Sequence, residues 1–197
     1  MEYKNIILID YPIVKRELTR LRDKRTSPEF FRSAMNRLSM ILAAEISKKF
    51  TLKEIIIETP LEKTKGFELK QEVILVPILR AGLGMVNGFL EVIPDAKVGH
   101  VGMERDEKTL EPKSYYFKIP STDKNTFIIV LDPMLATGGS VTATISKLNS
   151  DGINHCVFAS LVSAPEGIKK LIKTHPDVEI CTTVKDDVAD FDHAFQT

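Results

Sequence analysis

Short apolar runs separated by stretches of helical periodicity narrow the folds open to this chain. Residues 55–57, 73–79, 98–103, 127–131 and 157–162 are apolar or β-branched runs of strand length. Runs of this kind suit strands buried on both faces, as in a parallel sheet. Helical spacing follows at 85–93, at 141–148 (halting near Gly152) and at 165–173, which opens with Pro165. Strand and helix in alternation predict an α/β fold: a doubly wound, mainly parallel sheet with helices on both faces. Residues 104–120 break the rhythm. They are charged, carry Tyr115, Tyr116 and Phe117, and end at Pro120, which predicts a β-arm lying over a site or onto a partner.

The N-terminal part, about 12–50, reads as helical. Ser27, Pro28 and Glu29 supply a hydroxyl cap, a proline at the first helical position and an acid in the first turn. Phe30, Phe31, Ala34, Met35, Leu38, Leu42 and Ile46 then repeat at helical spacing, so one face should pack. With 197 residues the chain is long enough for one well-buried domain, taken as 1–197. Its 27 basic residues balance 27 acidic ones, which argues against a general nucleic-acid surface. The first apolar run, Ile6 to Ile9, stops at Asp10 and is too short for a signal core or a membrane span. Cys156 and Cys181 have no ligand or redox-motif spacing and read as buried free thiols. A cytoplasmic protein that meets neither membrane nor nucleic acid is the expectation.

Ligands of open α/β sheets bind outside the carboxyl ends of the strands. The run 127–131 delivers Asp132, then Pro133, Met134, Leu135, Ala136, Thr137, Gly138, Gly139 and Ser140, before helical spacing resumes at Val141. Glycines let backbone N–H groups converge on an anion, and a helix N-terminus adds unpaired donors with partial positive charge. Thr137 and Ser140 add hydroxyl donors, so the stretch describes a cradle for a phosphate monoester. The competing reading is a strand–turn–helix whose glycines only permit tight packing. Asp132 could bond ribose hydroxyls, orient a Mg²⁺-bound water or cap a helix. A second loop, Arg80-Ala81-Gly82-Leu83-Gly84, places a cation beside a glycine-rich helix start and suits a second anion such as diphosphate. Arg105 could add another cation. The lysine-bearing phosphate loop of nucleoside triphosphatases is absent.

Four strings carry a resemblance: "VPILRAGLGM" (76–85), "GMERDEKTLEP" (102–112), "DPMLATGGSV" (132–141), and "APEGI" with "HPDVE" (164–168 and 175–179). In order and spacing they are similar to the uracil phosphoribosyltransferases, over roughly 11–180. The resemblance implies a type I phosphoribosyltransferase fold and a pentosyl transfer: uracil and 5-phosphoribosyl 1-diphosphate give UMP and diphosphate, in pyrimidine salvage. It implies that residues 132–140 hold the ribose 5-phosphate. Arg80 and Arg105 would lie on the diphosphate side and join Asp132 as the catalytic set. It implies no resident metal site, Mg²⁺ arriving with the phosphoribosyl diphosphate, a homodimer or higher homo-oligomer, and a nucleotide effector such as GTP.

The chain departs from that pattern in three places. Pro133 stands where the wider class has a second acid, which argues against a purine or orotate enzyme. Glu104 stands where the family usually has an aromatic. After Glu179 there is neither proline nor glycine, whereas the family reads uracil with a Pro/Gly-rich C-terminal loop. The C-terminal hood is therefore expected to be truncated or divergent after about 180, with Asp186, Asp187, Asp190 and Asp192 in a solvated end. No uracil-binding residue can be assigned, and slow transfer to uracil is expected. Two functions stay open: an active transferase, or a phosphoribosyl-diphosphate-binding regulator or inactive paralogue.

Overall fold

The computed structural model describes residues 4–105 and 112–185. In chain order the elements are β1 (Ile6–Leu8), α1 (Pro12–Arg22), α2 (Pro28–Ser47), β2 (Leu52–Glu58), β3 (Lys63–Leu69), β4 (Val73–Leu79), α3 (Leu83–Val92), β5 (Lys97–Val98) and β6 (His100–Arg105). They continue with β7 (Pro112–Lys118), β8 (Phe127–Leu131), β9 (Met134–Leu135), α4 (Gly139–Ser150), β10 (Cys156–Ser163), α5 (Pro165–Thr174) and β11 (Glu179–Lys185). Among the described residues nine strands share one sheet, ordered β1-β11-β10-β8-β4-β6-β7, with β5 beside β4 and β9 beside β10. All neighbours run parallel except β6 and β7.

The alternation in the sequence has a direct physical outcome. Both faces of β4, β8 and β10 are covered, so every second residue enters a different core. Leu75, Ile129 and Leu131 pack with Leu38, Leu42 and Phe89 under α1, α2 and α3. Val76, Val130 and Phe158 pack with Ile145 and Leu171 under α4 and α5. Ser27 caps α2 as its sequence predicts, accepting a hydrogen bond from the Phe30 N–H at 3.4 Å. Helix α1 is pinned to α2 through Glu17, which is fully buried. Burial alone would raise its pKa, but hydrogen bonds from Arg37 and Arg16 (both 2.9 Å) outweigh that and hold it below the usual carboxylate range.

The structure departs from the sequence reading at three elements. Residues 55–57 are not a buried parallel strand. They lie in β2, which pairs antiparallel with β3 as a ribbon apart from the main sheet. The run 98–103 is interrupted at Gly99 and divides into β5 and β6. The chain after Glu179 does not leave the fold at once: up to Lys185 it is β11, hydrogen-bonded between β1 and β10. Residues 186–197, with Asp186, Asp187, Asp190 and Asp192, lie outside the described residues. The arm is present, β6 and β7 being its two antiparallel strands; residues 106–111 between them are likewise outside the described set. Cys181 is buried and Cys156 half-buried, both free, and burial pushes each thiol up to about 12. No helix among the described residues is long and apolar enough to cross a membrane.

Candidate active site

Strands β4, β6 and β8 are parallel, so their carboxyl ends bring residues 80–84, 105 and 132–140 to one edge of the sheet. The loop after β8 is held from behind by backbone bonds. Asp132 N–H donates to Ala159 O (3.2 Å), the N–H groups of Leu161 and Val162 both donate to Pro133 O (3.1 Å), and Ala164 N–H donates to Leu135 O (2.8 Å). Met134 and Leu135 form β9 alongside Val162 and Ser163. Pro133 therefore belongs to the framework of the loop. Its carbonyl ties the loop to β10, and its side chain is buried.

Helix α4 then opens at Gly138, whose φ of +74° is left-handed. The left-handed position is Gly138 and not Gly139, which is already helical. A Cβ on Gly138 would also lie 2.9 Å from Gly167 O. A Cβ on Gly167 would collide with Ala136 O. The glycine of the "APEGI" string thus lets α5 press against the back of the loop. The first helical bond of α4 runs from Thr142 N–H to Gly138 O (3.1 Å), so the N–H groups of Gly139, Ser140 and Val141 have no partner within the helix. They line a concavity of about 180 Å³ formed by Asp132 and residues 134–141. Donors from a helix end around a small hollow describe an anion site. Gly138→Ala is expected to strain the left-handed position by about 1–2 kcal/mol and to displace the donors. Affinity for phosphoribosyl diphosphate should fall about tenfold or more with circular dichroism unchanged. An unchanged affinity by calorimetry would contradict the cradle.

Asp132 lines the same hollow and keeps some accessible surface, while its carboxyl is otherwise enclosed by protein. Burial pushes its pKa up to about 7, against a smaller opposing effect of a hydrogen bond from the Met134 backbone. It caps no helix: α4 opens further along the chain, at Gly138, with no side-chain cap. Arg80 follows a cis Leu79–Arg80 peptide, is exposed, and makes no ion pair with a described residue. The loop after β4 lies close against the end of β8. A Cβ on Gly82 would collide with Leu131 O, the carbonyl just before Asp132. Arg105 closes β6 at the same edge; its side chain lies outside the described residues. The sequence reading passed over Gly82, Gly102 and Gly167 as close-approach points. Their neighbours come from distant parts of the chain, so only string matching could have flagged them.

A doubly wound, mainly parallel sheet with these loops at one strand edge is the phosphoribosyltransferase fold. Adenine phosphoribosyltransferase from Trypanosoma brucei shares it at a TM-score of 0.61 and 12% identity, over 92% of this chain and 84% of that one. A solved protein of Aquifex aeolicus is far more similar: TM-score 0.86 and 33% identity, over 92% and 88% of the two chains. The family model described as uracil phosphoribosyltransferase matches residues 8–194. A uracil phosphoribosyltransferase of Salinibacter ruber is 48% identical over 98% of this chain and 91% of its own length. The chain belongs to the uracil phosphoribosyltransferase family.

Proposed function

We propose that this chain transfers the phosphoribosyl group of 5-phosphoribosyl 1-diphosphate to uracil, giving UMP and diphosphate. The observation that carries the reading is the close approach of the loop after β4 to the end of β8, Gly82 against Leu131 O. It supports a reading in which residues 132–140 take a phosphate beside Arg80, which makes no ion pair among the described residues, as a sugar bearing a phosphate at one end and a diphosphate at the other requires. The 5-phosphate takes the N–H groups opening α4 with Thr137 and Ser140, and the ribose hydroxyls donate to Asp132. The diphosphate faces Arg80, Arg105 and the N-terminus of α3. As the bond from C1 to the diphosphate oxygen lengthens, charge grows on the leaving group. Fixed cations aimed at it stabilise that transition state more than the ground state. A uracil nitrogen completes the bond at C1.

Mg²⁺ belongs to this reading as part of the substrate. No group of three or more His, Cys, Asp or Glu side chains that could hold a metal exists among the described residues. The diphosphate oxygens carry the ion, which neutralises the leaving charge. Mg²⁺ titrated alone should give little heat, and a chelator should abolish turnover; tight binding by the free protein would contradict this. The test of the function is release of labelled UMP from labelled uracil. Turnover of order 1 s⁻¹ or faster supports the enzyme. Tight binding of phosphoribosyl diphosphate with negligible turnover supports the alternative, a regulator or inactive paralogue. A cytoplasmic location and an effector nucleotide such as GTP belong to the same reading; the latter is tested as a rate change on its addition.

Self-association is also proposed. The β2–β3 ribbon exposes Leu52, Ile56, Phe67 and Leu69 on one face and Ile57 on the other. A lone two-stranded ribbon is marginal in water. In its two strands three lysines (53, 63, 65) face three glutamates (54, 58, 68), the turn adds only Glu62, and Lys65 and Glu54 pair at 2.9 Å. No field selects a charged partner, and a second copy presenting the same ribbon buries both apolar faces. Phe67→Glu with Ile56→Lys should halve the mass in sedimentation; a wild-type monomer would overturn the proposal.

A further inference from the structure

Tyr115 has a geometry that the site described above does not use. In the β6–β7 ladder Gly102 pairs with Tyr116 and Met103 with Ser114. Tyr115 is left over as the extra residue of a β-bulge, a device that re-aims a side chain. Val101 is buried in the core under α4 and α5, and Met103 and Phe117 pack against it. By alternation Gly102 faces the opposite side of the sheet, the side that α3 covers. A Cβ on Gly102 would fall 2.5 Å from both Cε2 and Cζ of Tyr115. The phenolic end of the ring therefore occupies the place where a side chain of residue 102 would stand. The ring starts on β7, and its phenolic end lies over Gly102 of β6. There Gly102 is paired with Leu79, the residue before Arg80. The side chain is 52% exposed, and the hydroxyl has no hydrogen-bond partner among the described residues.

We propose that Tyr115 is a binding residue for the diphosphate end of the substrate. The bulge in β7 and the missing side chain at Gly102 lay its ring across β6, so that its hydroxyl donates to a diphosphate oxygen beside Arg80. The inference rests on the phosphoribosyl-transfer reading. A neutral donor suits this place: it orients the leaving group without adding a further cation that would retain the product. A tyrosine that merely covered the arm would need its ring but not its hydroxyl.

The test compares ligands that have the diphosphate with one that lacks it. In Tyr115→Phe the KM for phosphoribosyl diphosphate and the Kd of Mg²⁺-diphosphate should each rise about tenfold. The Kd of UMP, which keeps only the 5′-phosphate and ribose, should stay within about twofold of wild type. Gly102→Ala keeps the hydroxyl but displaces the ring, and should reproduce the same split. Unchanged diphosphate affinity in folded Tyr115→Phe overturns the inference while leaving the transferase reading intact. An equal loss for UMP overturns it too, because it assigns Tyr115 to the framework of the site. Wild-type protein that fails to bind phosphoribosyl diphosphate overturns the underlying reading and this inference with it.

Discussion

Arg80→Ala is expected to lower kcat/KM for phosphoribosyl transfer by about 10²-fold or more, the scale of losing one fixed donor to developing transition-state charge. Arg80 is exposed and pairs with no described carboxylate, so its removal strands no buried charge. The melting temperature should stay within about 1–2 °C of wild type. Arg80→Lys should recover only part of the loss, because an ammonium keeps the charge but not the planar fork that grips two oxygens at once. Arg105→Ala, at the end of the arm, should cost less. A wild-type rate in Arg80→Ala would remove the diphosphate assignment for the loop after β4.

Asp132→Asn should weaken phosphoribosyl diphosphate binding and stabilise the free protein, and both effects should depend on pH. The carboxyl loses its proton near 3.8 in the unfolded chain and near about 7 in the fold. Between those values the folded state holds more protons, so stability falls as pH rises through the window and the loss is complete above it. Asparagine removes that loss. At pH 8 the gain should be roughly 1–3 kcal/mol, allowing for the solvent that reaches the carboxyl, or about 3–8 °C in Tm. Below about pH 4 the two proteins should melt together. The proposed site has ribose hydroxyls donating to the ionised carboxylate, so wild-type affinity should rise with pH through about 7, with a proton released on binding. Asparagine should reduce affinity about 10–100-fold above that pH. Calorimetry in buffers of different ionisation enthalpy measures the released proton directly. A pH-independent affinity with no proton released would show that Asp132 does not hold the ribose.

Much of the sheet is legible in the sequence alone. Strands β4, β8 and β10 read correctly because burial on both faces demands an unbroken apolar run, and few other environments do. The approach to α4 was legible for a related reason: a chain that enters a helix through a left-handed residue such as Gly138 needs small residues there. Residues 55–57 misled because three isoleucines look the same in a core strand and on an exposed ribbon; only the partner strand and its surroundings differ. The segment 180–185 went unassigned. Two threonines and a lysine lower its hydropathy, yet Thr182 is fully buried because Ser163 Oγ donates to its hydroxyl at 3.0 Å. A polar residue whose partner lies 19 positions away cannot be recognised as core from its own neighbourhood.

What the chain determined by itself was local: where it is apolar at strand or helix spacing, where a helix is capped, and which loops can offer N–H groups to an anion. Those properties depend on residues a few positions apart. What only the tertiary structure decided was which local features meet. Gly82 touches the carbonyl before Asp132, Gly167 supports Ala136, and the ring of Tyr115 rests on Gly102. Each is a contact between segments brought together by strand order. Strand order is set by the packing of both sheet faces at once, and no single stretch of sequence carries it.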